Sequence, residues 1–228
     1  MAGVPVTSLG VPTGWSVQAH VGEQLPDDRQ LTELLAALRS LGSHGFQVMV
    51  GHEHRHDPRW SRHGLHEVDE LPTFALPADT AARLEVRLPP ELTVRQAEGR
   101  DEFVDVYGGW CGGRDLAAAL VTGEDVAGGR HEYWVAAADV TPVGTAILHQ
   151  GERSGHLSGI GVLEQFRGRG YGTALTAWAA VRAADRLDPD GRAVDLVWMH
   201  ASGDGAPLYA RMGFDQVDLH VGFGPGSP

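Results

Sequence analysis

The segment Gln165–Gly172, QFRGRGYG, constrains this chain more than any other stretch. It stands between an apolar, strand-like run, Leu157–Val162, and a run of helix-forming residues. Glycines let a backbone approach a ligand closely, and the first N–H groups of a following helix lack intrahelical acceptors, so they point at any anion placed there. The spacing therefore predicts strand, tight loop and helix, with a diphosphate as the group that such a loop cradles. Arg167, Gly170 and Gly172 fit R-x-x-G-x-G, while Gln165, Gly168 and Gly170 fit Q-x-x-G-x-G in an overlapping frame. A dinucleotide fingerprint would read G-x-G-x-x-G after the first strand, with an acidic residue about 20 positions on. Here Gly168, Gly170 and Gly172 form G-x-G-x-G in the last third of the chain. A Walker A loop needs a lysine, and this chain has none. The plainer alternative is a glycine-rich loop capped by Thr173 that binds nothing.

Composition narrows the class. With 228 residues the chain can bury a sizeable core, as one large or two small domains. It has no run of 18 apolar residues, a single cysteine (Cys111), and an N-terminus without a basic segment or a continuous apolar core. The expectation is a cytoplasmic protein without a disulfide framework and without membrane attachment. The net charge of −12, spread through both halves, repels phosphate backbones and argues against nucleic acid as a partner. It would draw in cationic molecules such as amines, although solubility alone accounts for it.

About 90 N-terminal residues read differently from the rest. Leu31, Leu34, Leu35 and Leu38 give helical spacing within Asp28–Leu41; a strand is expected at Phe46–Val50, then a histidine-rich loop to His66. Pro72, Pro77, Pro89 and Pro90 punctuate the exit. After Glu91 the order reads β-α-β-β-β-α-β-α-β, an α/β mixed sheet with helices on both faces. Its strands are expected at Thr93–Ala97, Glu132–Ala137, Val143–His149, His156–Val162, Ala193–His200 and Phe214–Val221. A helical region from Glu102 to Val121 should break at Gly108-Gly109 and at Gly112-Gly113. In the helix after the glycine loop, Ala174, Ala177, Trp178 and Val181 form an apolar stripe, ended by a turn at Asp188-Pro189-Asp190-Gly191. A short helix, Gly205–Met212, follows the penultimate strand.

IGVLEQFRGRGYGTAL (160–175) and LYARMGF (208–214) together resemble the GNAT N-acetyltransferase superfamily, whose signature is R/Q-x-x-G-x-G/A after an apolar strand and Y-x-x-x-G-F near the C-terminus. Tyr209, Gly213 and Phe214 match the latter, and Val143-Gly144-Thr145 look like the family's V-G turn into a central strand. The resemblance covers about Leu92 to Val221. It implies a GNAT domain at 91–228 preceded by an accessory domain at 1–90, read as a degenerate half of the same fold. It also implies a mostly antiparallel sheet that splays after Ile160–Val162, with a bulge near Gly159 or Gly161.

The chemistry implied is acyl transfer, most often of acetyl, from acetyl-CoA or another acyl-CoA to a primary amine, without a metal. The backbone of Gly168, Arg169, Gly170, Tyr171, Gly172 and Thr173 would hold the diphosphate, Arg167 and Arg169 would add charge at its rim, and Ile160 and Val162 would pair with the pantetheine arm. Tyr209 stands where the family places the general acid for the leaving thiolate. His149, Glu152, His156 and His200 lie near strand ends, and of these His149 and His156 are the candidate bases. Two positions depart from the pattern: Ser202 stands near the place of a frequent asparagine, and Glu164 replaces a frequent proline. His52, His54 and His56 would share one face of a strand and suit zinc or nickel, but their spacing favours a solvated loop, and no metal is assigned. The expected acceptor is a small cationic amine, governed by the region Tyr107–Arg114. The alternatives are a CoA-binding sensor or scaffold that has lost catalysis, and acetylation of protein N-termini or lysines. A homodimer is left open.

Overall fold

The computed structural model describes residues 4–8, 17–41, 45–121, 131–186 and 191–225. They form two compact units, one made of residues 1–73 with 216–228 and the other of residues 74–215. The division expected at residue 90 falls inside the second unit, because Phe74, Leu76 and Ala81 join the second unit's core while Val221 and Phe223 join the first's.

The first unit holds β1 (Val6–Ser8), β2 (Val17–His20), α1 (Asp28–Leu41), β3 (Gln47–Gly51), a 3-10 turn at His52–His54 and α2 (Arg59–Arg62). It also takes most of β4 (Leu65–Pro77) and of β10 (Asp215–Pro225). Strand β2 pairs parallel to β3, with α1 as the crossover, and β10 pairs antiparallel to the other edge of β3. The four leucines read at helical spacing are the buried face of α1, packed with Val17, Ala19, Val48 and Val50. Each such burial contributes about 1.5–3 kcal/mol. The start of α1 is closed by its own side chains: Asp27 Oδ1 accepts from Gln30 N at 2.8 Å, and Asp27 N donates to Gln30 Oε1 at 2.9 Å. This reciprocal box satisfies the orphan donors with a carboxylate. The 3-10 turn removes His52, His54 and His56 from any common strand face, and His54 Nε2 lies 3.0 Å from the Glu23 carbonyl.

The second unit contains α3 (Ala78–Ala81), β5 (Leu92–Gln96), α4 (Arg100–Cys111), α5 (Arg114–Leu120), β6 (His131–Ala138), β7 (Thr141–Gln150) and β8 (Ser154–Val162). It continues through α6 (Tyr171–Ala184), β9 (Leu196–His200) and α7 (Ala206–Arg211). Strands β5 to β8 pair antiparallel in sequence order, β8 pairs parallel to β9 with α6 as crossover, and β4 lies next to β9 in the strand order. The elements after residue 91 follow the order expected from the sequence.

Several local expectations are corrected. Helix α4 runs unbroken through Gly108-Gly109, because Gly108 is there for packing: a Cβ would stand 2.8 Å from Arg114 Cα. The chain breaks only at Gly112 and Gly113, with φ of 112° and 116°. Val143-Gly144-Thr145 lie inside β7, paired with β8, and the turn falls earlier, at Asp139 with φ 53°. Helix α6 buries more than the predicted stripe: Tyr171, Leu175, Thr176, Ala179, Ala180 and Ala183 are also buried, while Trp178 is half-buried, 4.5 Å from Trp134. Of the turn expected after α6, residues 188–190 lie outside the described residues.

The sheet of this unit has two different faces. Leu148, Leu157, Val197 and Met199 pack with the alanine-rich side of α6. Tyr133, Val135 and Ile147 face the other way, with Phe103, Val104 and Val106 of α4. Alternation along the strands carries a row of imidazoles on this second face, since His131 pairs with His149, His149 with His156 and His156 with Trp198. His149 Nδ1 lies 2.7 Å from His131 Nδ1, and His149 Nε2 lies 2.6 Å from Ser158 Oγ. The His156 ring stacks on Trp198 at 4.0 Å and on His149 at 4.9 Å, with His200 at 6.0 Å. Burial, and secondarily the three neighbouring imidazoles, push His156 down to about 3.

An imidazole that titrates near its ordinary value in the unfolded chain but near 3 in the folded one gives the unfolded chain more bound protons between those limits. Its contribution to stability is therefore complete above about pH 6.5 and declines as pH falls. The melting temperature should drop from about pH 7.5 to about pH 5, and His156→Gln, although less stable at the higher pH, should show a shallower drop. Equal drops in parent and variant, followed by thermal denaturation, would show that His156 does not drive the acid sensitivity.

Candidate active site

Between β8 and α6 the chain makes a 3-10 turn at Glu164–Phe166 and then the glycine loop. Gly168 and Gly170 have φ of 77° and 81°, in the left-handed region that disfavours a Cβ. Gly170 is the N-cap residue of α6, and no side chain caps the helix. Thr173 is therefore not the cap but an exposed residue of the first turn. A helix of 14 residues left open in this way presents its first N–H groups and the positive end of its dipole to the cavity in front of it. The contrast with the carboxylate-closed start of α1 is chemical: one terminus repels an anion and the other invites one.

The loop is braced from behind. Tyr171 buries its ring in the core and donates from its hydroxyl to Glu91 Oε1 at 2.8 Å. The backbone N–H of Glu91 itself, then the Tyr171 hydroxyl and last the nearby Arg169, hold the Glu91 carboxyl below its usual range, and the Arg169 guanidinium sits 5.4 Å from the Phe166 ring centroid. Arg167 turns back, its Nε donating to the Val162 carbonyl at 3.2 Å.

In front of the loop lies a cavity of about 470 Å³, wholly within the second unit. One wall is Ile160–Val162 of β8, the opposite one Tyr209 and Arg211 of α7, and Ser202 and Trp110 complete the lining. The space exists because β8 parts from β9. Their ladder runs from Ser154 with Leu196 to Leu157 with Met199, so the opening begins at Ser158 rather than after Val162 as expected. On its other edge β8 stays paired with β7 but carries one extra residue: Thr145 faces Gly161 while Ile147 faces Ser158. This is a bulge at Gly159-Ile160, close to the expected position, with Gly159 at φ 55°.

Cavity-lining residues include Gly168, Gly170, Tyr171, Gly172, Thr173 and Tyr209. Ile160, Val162, Arg167 and Ser202 also line it. Arg169 stands beside the loop, tied to Phe166. Tyr209 is 7% exposed, packed edge-on to Phe74 at 6.0 Å, and burial raises its phenol above the ordinary tyrosine value. The group thus stays protonated at neutral pH. Ser202 sits on the rim, with its Oγ 3.3 Å from the Gly205 N–H that it caps. His149 and His156 are not part of the lining; they belong to the imidazole row, which meets β8 at Ser158, just before the bulge. Glu152 is exposed in the β7–β8 turn. Among the described residues, no group of three or more His, Cys, Asp or Glu is placed to hold a metal ion, and no helix is long and apolar enough to cross a membrane.

Arg211 and Asp204 were missed from the sequence, whereas Trp110 falls in the region Tyr107–Arg114 expected to govern the acceptor, although it was not singled out there. Arg211 had a signal, since it lies two residues after Tyr209 in the LYARMGF motif.

Comparison with known proteins agrees with the geometry. Residues 129–216 match the model of the acetyltransferase (GNAT) domain. A GCN5-related N-acetyltransferase from Kribbella flavida has a similar structure, with a TM-score of 0.67, 18% identity, and 96% of this chain and 85% of that one covered. One from Sphaerobacter thermophilus gives 0.63 and 19%, covering 97% and 75%. A tandem GNAT protein from the clavulanic acid biosynthesis pathway gives 0.63 and 19%, covering 96% and 77%. Curated proteins give no significant match by sequence. The open helix, the parted strands and the matched segment together identify residues 129–216 as a GNAT domain, in a chain with the fold of the GCN5-related N-acetyltransferases.

Proposed function

We propose that this protein is an acyl-CoA-dependent N-acyltransferase that moves acetyl from acetyl-CoA to a small, cationic primary amine. The observation that carries this reading is one cavity bounded at one end by an uncapped helix start and on its side by the protonated hydroxyl of Tyr209. Acetyl-CoA supplies the activated acyl group: the amine nitrogen bonds to the carbonyl carbon, the carbon–sulfur bond breaks, and an amide and the CoA thiol result. The N–H groups of residues 170–173 hold the diphosphate, and the unpaired edge of β8 receives the extended arm as another strand would. Tyr209 gives its proton to the departing sulfur. The amine's own proton leaves through Ser158 to His149, which is hydrogen-bonded at both ring nitrogens. His156 is the poorer base, since an imidazole held near 3 seldom keeps a proton at neutral pH. The net charge of −12 favours approach of a cationic acceptor.

Acetyl-CoA at about 100 times its dissociation constant should stabilise the folded chain by about 2.7 kcal/mol, which thermal shift measures. Gly170→Asp places a carboxylate where the diphosphate binds and should erase the shift; an undiminished shift would refute the cradle. Calorimetry should count about one site per chain, because Asp27 already occupies the helix start in the first unit. Two equivalent sites would contradict this.

Tyr209→Phe keeps the ring packed against Phe74 and removes only the acid. Coenzyme affinity should survive while turnover with a panel of amines falls about 10²- to 10⁴-fold. Turnover within about threefold of the parent would make Tyr209 a packing residue and leave the thiolate to take its proton from water. Coenzyme binding without transfer to any amine, by the parent protein, would instead favour a sensor.

A further inference from the structure

Trp110, Thr145 and Gly159 form a connected chain at the point where β8 leaves β9. Trp110 Nε1 donates to Thr145 Oγ1 at 3.1 Å, and Thr145 Oγ1 donates in turn to the Gly159 carbonyl at 2.8 Å. Thr145 is fully buried, so this hydroxyl has no water to turn to; its one proton goes to Gly159 and a lone pair receives Trp110. The indole lies flat against the next part of the bulge, since any Cβ at Gly161 would run into its ring. Ile147, on the same face of β7 as Thr145, fits against Gly159, where a Cβ would come within 2.8 Å of its Cδ1. Three elements, α4, β7 and β8, therefore fix one peptide plane.

A trans peptide is planar, and its C=O and N–H point in opposite directions. Holding the Gly159 carbonyl toward Thr145 on β7 aims the N–H of Ile160 away from β7, to the side where β8 has no partner beyond Leu157. Ile160 is, with Gly159, one of the two residues that the β7 ladder skips, and it lines the cavity with Tyr209. The GNAT resemblance already implies a backbone N–H of the Ile160–Val162 strand as the donor for the thioester oxygen; we propose that Thr145, held in place by Trp110, is the positioning residue that orients the Ile160 N–H into the cavity for that role. The inference rests on the acyl-transfer reading for what the donor serves, but the orientation itself is a property of the free protein.

The test uses the full chain with Thr145→Val, which keeps the shape and removes the hydroxyl, and Thr145→Ser, which restores it. Two readings are taken: amide exchange at Ile160 by NMR without ligand, and kcat beside the dissociation constant for acetyl-CoA. In Thr145→Val the Ile160 amide should exchange at an altered rate, and kcat should fall about 10- to 100-fold, less than loss of a whole oxyanion donor, with coenzyme affinity within about threefold. Thr145→Ser should return both to near the parent values. A purely structural role would lower the melting temperature without separating kcat from affinity, and the serine variant would not rescue kcat. If Thr145→Val does not fold, Trp110→Phe, which removes the N–H and keeps a ring over Gly161, takes the same readings. Unchanged exchange and kcat within about threefold of the parent would overturn the proposal. If the parent transfers acetyl to no amine yet exchange at Ile160 still responds to Thr145→Val, the orientation stands and the acyl-transfer reading falls.

Discussion

The second unit depends on a strand that is held on one edge and released on the other. Strand β8 keeps its ladder with β7 from Gln150 to Gly144 but gives up β9 after Leu157. Backbone groups stripped of a partner in a protein interior cost about 1–3 kcal/mol each, so a gap of this kind persists only if water or a ligand completes it and the rest of the strand is well anchored. The anchor is visible on both faces: Leu157 in the core under α6, and Ile147, Trp110 and Thr145 around the bulge. Tyr209 and the glycine loop then border a space that the sheet itself has opened.

The chain repeats a β-α-β unit with a short helix and a further strand behind it. In the first unit β2, α1 and β3 are followed by α2 and β4; in the second β8, α6 and β9 are followed by α7 and β10. The final strands are shared between the units, since most of β10 counts with the first unit, while β4 belongs mostly to the first and only its end, Phe74–Pro77, to the second. Both crossover helices have 14 residues, and what differs is the chemistry at their starts. Asp27 and Gln30 close α1, whereas Gly170 opens α6. The same backbone plan thus yields one helix start closed by a carboxylate and one left open, by side-chain choice at a single turn.

The imidazole row adds a polar face beside the bulge, with His156 held neutral at its centre. Four histidines and Trp198 across adjacent strands exclude water from one another, and burial disfavours the charged form of His156, with the neighbouring imidazoles acting in the same direction.

Local signals were enough for the elements that periodicity governs. The four leucines of α1, the strands from β5 to β10 and the glycine loop were legible because each is encoded over a few consecutive residues. So were the place of Tyr209 in the cavity lining, through the LYARMGF motif, and the bulge, through Gly159 and Gly161. What sequence could not supply was anything set by residues far apart in the chain. Glycine looks like a helix breaker until the partner that demands it is known, as Arg114 does for Gly108. Trp110 and Thr145 are 35 positions apart and meet only when α4 packs on β7. The unit boundary moved to Thr73 because Phe74 finds its partner in Tyr209, and the two histidines read as candidate bases were separated from the cavity by strand register. Sequence determined which segments could be strand, helix and anion loop; only tertiary packing decided which edge of β8 went unpaired, because pairing and burial are settled between segments and not within them.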